Sequence, residues 1–303
     1  MFKKRTRFNI LIFLLPAVIF TVIFFILPAP ITTFMAFTGM DYKFQWNFVG
    51  FKNFIRIMHD PLIRKITSVT VWYILGTLLI FNTTFGLVLA ILTSYLSEKV
   101  GVFFRGTWLL PRFTPPIVYG VIWLWILSPN RSGLLNGMLM TLFGLDKPIS
   151  WIIKYPLQVI ILTNGLIGAS MGMVIFASAI QSISRDYFWA SRVDGANWWQ
   201  EIRYIILPMI KWPVAFITAY QTLSLLTSYE YILIITQGGP YYKSTVWSLY
   251  SYLVAFSSYS GTFEFGYGAA LSTVLVVIGI IASIFYWKVF KMGAMIQPSK
   301  IEF

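Results

Sequence analysis

Ser184-Arg185-Asp186-Tyr187-Phe188-Trp189-Ala190-Ser191-Arg192-Val193-Asp194-Gly195-Ala196-Asn197-Trp198-Trp199-Gln200-Glu201-Ile202-Arg203-Tyr204-Ile205-Ile206-Leu207-Pro208 is the long polar interruption in the second half of a very apolar chain. Arg185, Asp186, Arg192, Asp194, Glu201 and Arg203 fall inside it, with strongly apolar runs on both sides. Its local signals read helix, break, helix. Asp186 is placed to cap a first helix over Tyr187 to Val193, and Gly195 supplies the left-handed residue that ends it. Asn197, with Gln200 three residues on, has capping-box spacing and starts a second helix. Leu207-Pro208 closes or kinks that helix. Two short helices between apolar spans form a protruding elbow that a partner can hold. A plain solvated connection is the simpler reading. Against it stand Tyr187, Phe188, Trp189, Trp198 and Trp199, more aromatic surface than a connector requires. Trp198 and Trp199 also suit a headgroup belt.

The flanks set the class. Of 303 residues, 58% are hydrophobic and 11% charged, and the mean hydropathy is +0.75. A soluble domain carries about a quarter charged residues, so the chain reads as an all-α polytopic membrane protein. Cysteine is absent and His59 is the single histidine. That excludes disulfide frameworks, thiolate metal sites and cysteine nucleophiles, and it argues against a histidine-based metal site or triad. A net charge of +13 raises the question of nucleic acid, but the basic residues flank apolar spans and form no patch, as the positive-inside rule expects.

Six spans are expected, at about 10–27, 67–96, 103–127, 157–180, 209–236 and 266–290, in one domain over 1–303, with a cytoplasmic loop at 181–208. Lys3, Lys4, Arg5 and Arg7 precede the first run, which is long for a signal peptide and lacks a clean cleavage site, so it reads as an uncleaved span. Pro111, Arg112, Pro115 and Pro116 predict a kink or break near the inner end of the third span, with Arg112 snorkelling to the interface. The half-apolar segment 130–155 is expected along the interface. Gly168-x-x-x-Gly172 lets a neighbouring helix approach the fourth span. Gly238-Gly239-Pro240 makes a turn, and Lys288, Lys291 and Lys300 hold the C-terminus inside with the N-terminus.

Ala190-Ser191-x-x-Asp194-Gly195-Ala196, followed by Ile206-Leu207-Pro208, resembles the cytoplasmic loop signature of ABC-importer membrane subunits, most of all the carbohydrate-uptake type similar to the maltose and glycerol-phosphate permeases. Trp189 stands where that family has Glu, and Ser191 where it has a second Ala. The resemblance implies a type I permease architecture in a bacterial plasma membrane. It implies a second homologous permease subunit, two cytoplasmic ATPase subunits and an extracellular substrate-binding protein. Tyr187, Phe188, Trp189, Ala190, Ser191, Asp194, Gly195 and Ala196 would then couple to the ATPase, and the spans would rock between inward-facing and outward-facing states. No Gly-x-x-x-x-Gly-Lys-Ser/Thr loop is present, so ATP and Mg would sit on the partner ATPase, with no cofactor bound directly by this chain.

For the cargo, Gln221, Ser224, Thr227, Ser228, Tyr229 and Tyr231 put hydroxyl, amide and aromatic groups on span five, and Asn164, Ser170 and Ser178 on span four can face them. Such a stripe could line a sugar path. It could equally be interhelical hydrogen bonding. Glu230 reads as a polar contact in the path or as an interfacial carboxylate paired with a basic neighbour. Membrane lipid is the remaining partner. A stand-alone secondary transporter is the alternative, disfavoured by scarce intramembrane charge and the lack of inverted repeats. A membrane enzyme would need a catalytic constellation, which one histidine, no cysteine and scattered carboxylates supply poorly.

Overall fold

The computed structural model describes residues 13–257 and 263–291. Lys3 to Arg7, the start of the first span and Lys300 lie outside them. The helices used below are α1 (Phe13–Met35), α2 (Lys52–His59), α3 (Pro61–Ser94), α4 (Glu98–Phe113), α5 (Pro116–Ile126), α6 (Leu134–Phe143), α7 (Pro156–Gln181), α8 (Arg185–Val193), α9 (Trp198–Met209), α10 (Lys211–Thr227), α11 (Glu230–Ile235), α12 (Trp247–Phe256) and α13 (Phe265–Val289). Among the described residues there is no sheet, only one bridging pair, Thr38 with Phe48. The chain is an all-α protein. α1, α3, α7 and α13 are each long and apolar enough to cross a membrane, and two bent pairs raise the number to six.

The bends have local causes. α4 and α5 meet at 99°. Thr114 and Pro115 are both extended, at ψ 131° and 139°, because each precedes a proline whose ring excludes the helical conformation. The expected kink is therefore a complete break. α9 and α10 meet at 66° around Ile210, two residues beyond Pro208. Pro213 lacks the N–H that would close the helical bond to Met209, which loosens the ladder at this point. The fifth span, expected as one helix, is interrupted again at Ser228 and Tyr229 before α11.

The chain divides into two compact units. In the unit formed by Met1–Ile63 and Tyr250–Val276, Asn53 donates to Ala36 O at 2.9 Å and Thr38 O at 2.8 Å. Asp60 accepts from Tyr250 at 2.6 Å and Tyr267 at 2.9 Å. Arg56 pairs with Glu264 at 2.5 Å and lies over the Tyr267 ring. Polar side chains thus join segments some two hundred positions apart.

The unit formed by Arg64–Leu249 and Val277–Phe303 is built on α7, whose interior residues Met173, Phe176, Ala177 and Ile180 pack with Ala90, Ile202, Ile206, Ile210 and Ile217. The Gly168-x-x-x-Gly172 pair lets α3 in, as expected. A Cβ on Gly168 would stand 2.1 Å from Asn82 Oδ1, and one on Gly172 2.3 Å from Asn82 O. In the segment between α5 and α7, buried Asn136 organises the chain: it donates to Ser128 O and Ile149 O and accepts from Ile149 N and Trp151 Nε1. α6 turns Leu142 and Phe143 outward.

Candidate coupling segment and membrane polar layer

Ser184, not Asp186, caps α8. Its ψ of 136° aims Oγ at the first turn, where it accepts from Asp186 N at 3.3 Å. Asp186 lies one step inside, its carboxylate held by Ser184 Oγ at 3.0 Å. Serine outcompetes aspartate here because it stands at the non-helical position that capping requires. The far end closes as read: Gly195 has φ +79°, its N–H donates to Arg192 O at 3.1 Å, and Ala196 N–H donates to Ser191 O at 2.9 Å. That pair of bonds is the Schellman closure. No side chain crowds Gly195, so backbone conformation alone calls for glycine there. The capping box is complete, with Asn197 N donating to Gln200 Oε1 at 2.8 Å and Gln200 N to Asn197 Oδ1 at 3.0 Å.

α8 has two faces. Phe188 turns inward against the Ile180, Ile202 and Ile206 cluster, and Ser191 Oγ bonds back to Phe188 O. Tyr187, Trp189, Ala190, Asp194 and Gly195 are exposed, Ala196 is half-buried, and Val193 is 87% exposed. Trp198 and Trp199 pack edge to face at 5.8 Å and remain largely exposed. Five aromatic groups expected to act together are thus divided: Phe188 anchors, and Tyr187, Trp189, Trp198 and Trp199 are presented.

A residue without an expected role fixes this geometry. Glu201 is 4% exposed. It accepts from Arg192 Nε at 3.2 Å and from the Tyr95 hydroxyl at 2.9 Å. One carboxylate so ties α8 to the start of α9 and to the residue that ends α3. Burial, together with donation to Glu201, pushes the Tyr95 hydroxyl up to about 12. It therefore stays protonated and remains a donor at ordinary pH. The one signal in the sequence was helical spacing: Glu201 stands beside Ile202 and four residues before Ile205, on the narrow face of α9 that carries the buried Ile202 and Ile206.

Within the spans, Asn164 donates to the Tyr73 hydroxyl and to Ser228 Oγ at 3.0 Å. Ser248 donates to Ser228 O at 2.9 Å, and Gln221 Nε2 to Gly168 O at 3.1 Å. Asn164 and Ser228 are brought together, and Gln221 makes a separate link from α10 to α7. Tyr229 is half-buried at the break, while Ser224 and Glu230 are exposed, Glu230 in the first turn of α11. Tyr73 escaped sequence reading because nothing local ties it to residues some ninety positions away. Asn82 is fully buried, and neither side-chain polar atom has a partner among the described residues. No group of three His, Asp or Glu side chains able to hold a metal occurs among the described residues.

Known proteins resemble this chain in sequence and in fold. The chain is 30% identical to a probable ABC transporter permease, YurN, of Bacillus subtilis over 93% of this chain and 96% of that one. It is 28% identical to the diacetylchitobiose uptake permease NgcF of Streptomyces coelicolor over 78% of this chain and 69% of the relative. A crystal structure of a bacterial ABC transporter involved in import of the acidic polysaccharide alginate contains a chain of the same fold, with a TM-score of 0.81, 22% identity and coverage of 96% and 98%. Residues 82–289 match the family model, and the chain belongs to the binding-protein-dependent transport system inner membrane components.

Proposed function

We propose that this permease is half of the membrane path of an ATP-driven importer for an oligosaccharide, with α8 as its handle for a separate ATPase. The supporting observation is the construction of α8: both ends are closed by local hydrogen bonds, Phe188 and Glu201 fasten its inner face, and Tyr187, Trp189 and Val193 are left outward. A rigid lever with an apolar outer face can carry motion from a moving partner into the α9–α10 bend. Trp189 would replace the polar contact of the family Glu with apolar packing. Asp194, Gly195 and Ala196 set the closure, and Ala190 and Ser191 complete the helix. Relatives named for diacetylchitobiose and for maltose and maltodextrin support a sugar cargo. Ser224, Tyr229 and Glu230 are the path residues still open to it, with Asn164, Gln221 and Ser228 behind them. The assembly comprises a second homologous permease, two cytoplasmic ATPases holding ATP and Mg, and an extracellular binding protein. The loop 181–208 and both termini are cytoplasmic.

The test is capture of the tagged full chain from native membranes in mild detergent, with companions identified by mass. An ATPase and a second six-span chain are expected. A chain recovered alone that transports in vesicles without ATP would overturn the reading.

A further inference from the structure

A cavity of about 560 Å³ lies behind α8, walled by α8, α4, the end of α7 and the α3–α4 connection. Its volume is within the range of about 300–1,000 Å³ that small ligands occupy. Four charged side chains line it: Glu98 and Arg105 from α4, and Arg185 and Arg192 from α8. Arg192 is matched by Glu201. Arg105 donates to Thr93 O at 3.3 Å, a neutral carbonyl that leaves its charge uncompensated. Neither Arg105 nor Arg185 makes an ion pair among the described residues. Two guanidiniums against Glu98 leave one positive charge in excess, the charge that a phosphodiester balances. Guanidinium forks match phosphate oxygens. Ile180 and Ile206 add an apolar wall, suited to a glycerol unit and the first methylenes of an acyl chain. A free inorganic phosphate has no use for that wall.

We propose that this cavity binds the phosphodiester headgroup of an anionic phospholipid, with Arg105 and Arg185 holding the phosphate and the occupied site bracing α8 against α4. Its assignment to the inner leaflet rests on the coupling reading of α8. Basic pockets at the cytoplasmic ends of membrane helices are where anionic headgroups settle.

The full chain is purified in neutral detergent without partners and titrated with phosphatidylglycerol, with bound lipid read by native mass spectrometry. One lipid per chain is expected, bound about tenfold more tightly than by the Arg105→Gln/Arg185→Gln variant, with no displacement by millimolar inorganic phosphate. Equal binding by both chains overturns the site. Displacement by inorganic phosphate overturns the lipid and assigns the site to a soluble phosphate. Should the variant lose its helical circular dichroism, the unaltered chain is labelled with a photoactivatable phosphatidylglycerol. Label on the Arg185–Arg192 peptide supports the site, and label confined to other peptides overturns it. Lipid bound here by a chain that captures no ATPase would leave the site standing and remove the coupling reading.

Discussion

The elbow and the polar layer in the membrane are both hydrogen-bonded, but they are built by opposite rules. In the elbow the partners are neighbours in sequence: Ser184 with Asp186, Asn197 with Gln200, Gly195 with Arg192. In the layer they are strangers: Tyr73 and Asn164 are 91 residues apart, and Asn164 and Ser228 are 64 apart. A polar segment in water can satisfy its backbone with nearby side chains. Inside the bilayer no water is available, so a polar side chain must find another helix. Glu201 belongs to both worlds. It lies in the elbow, yet one of its two partners is Tyr95, beyond the end of α3.

Gly195→Pro is the severest way to break this contrast. Proline cannot take φ +79° and has no N–H for Arg192 O. Uptake into vesicles should disappear while the chain still inserts in the membrane. Substrate-driven ATP hydrolysis at the normal rate would sink the coupling role. Gly168→Val attacks the layer instead. Its Cβ would meet Asn82 at 2.1 Å, so the α3–α7 contact must open, at about 1–3 kcal/mol. A lower melting temperature of the purified chain checks this, and an unchanged one would mean that the two helices separate without loss.

The smallest effect, about 0.6 kcal/mol, is expected from Ser228→Ala, which removes the acceptor of the 3.0 Å bond from Asn164 and of a long 3.4 Å bond from the Tyr73 hydroxyl. Melting should barely move and the KM for uptake should stay constant. A KM raised severalfold would make Ser228 a substrate contact and place the cargo at the break in the fifth span.

Much of the elbow was legible because its signals are short-ranged. Gly195 and the Asn197–Gln200 box do what their spacing says, and the one local error, Asp186 for Ser184, is a shift within a single turn. The Gly168-x-x-x-Gly172 approach was legible too, since a missing side chain admits any neighbour. Which neighbour came, and that it would bring a buried Asn82, was not. Leu207-Pro208 was expected to close or kink its helix, and the helix does end at Met209, with the 66° bend around Ile210, before Pro213.

The sequence by itself determined an apolar α-helical chain with several helices long enough to cross a membrane, the polar elbow in its second half, and the family. Apolar length, caps and prolines act within a turn or two and need no tertiary context. Only the tertiary structure decided that Phe188 anchors while Trp189 faces out, that Glu201 joins α8 to α3, and that Asn164 and Ser228 hold helices together. Those outcomes depend on which groups meet when helices pack, and burial forces every polar group to settle with whatever neighbour the packing supplies.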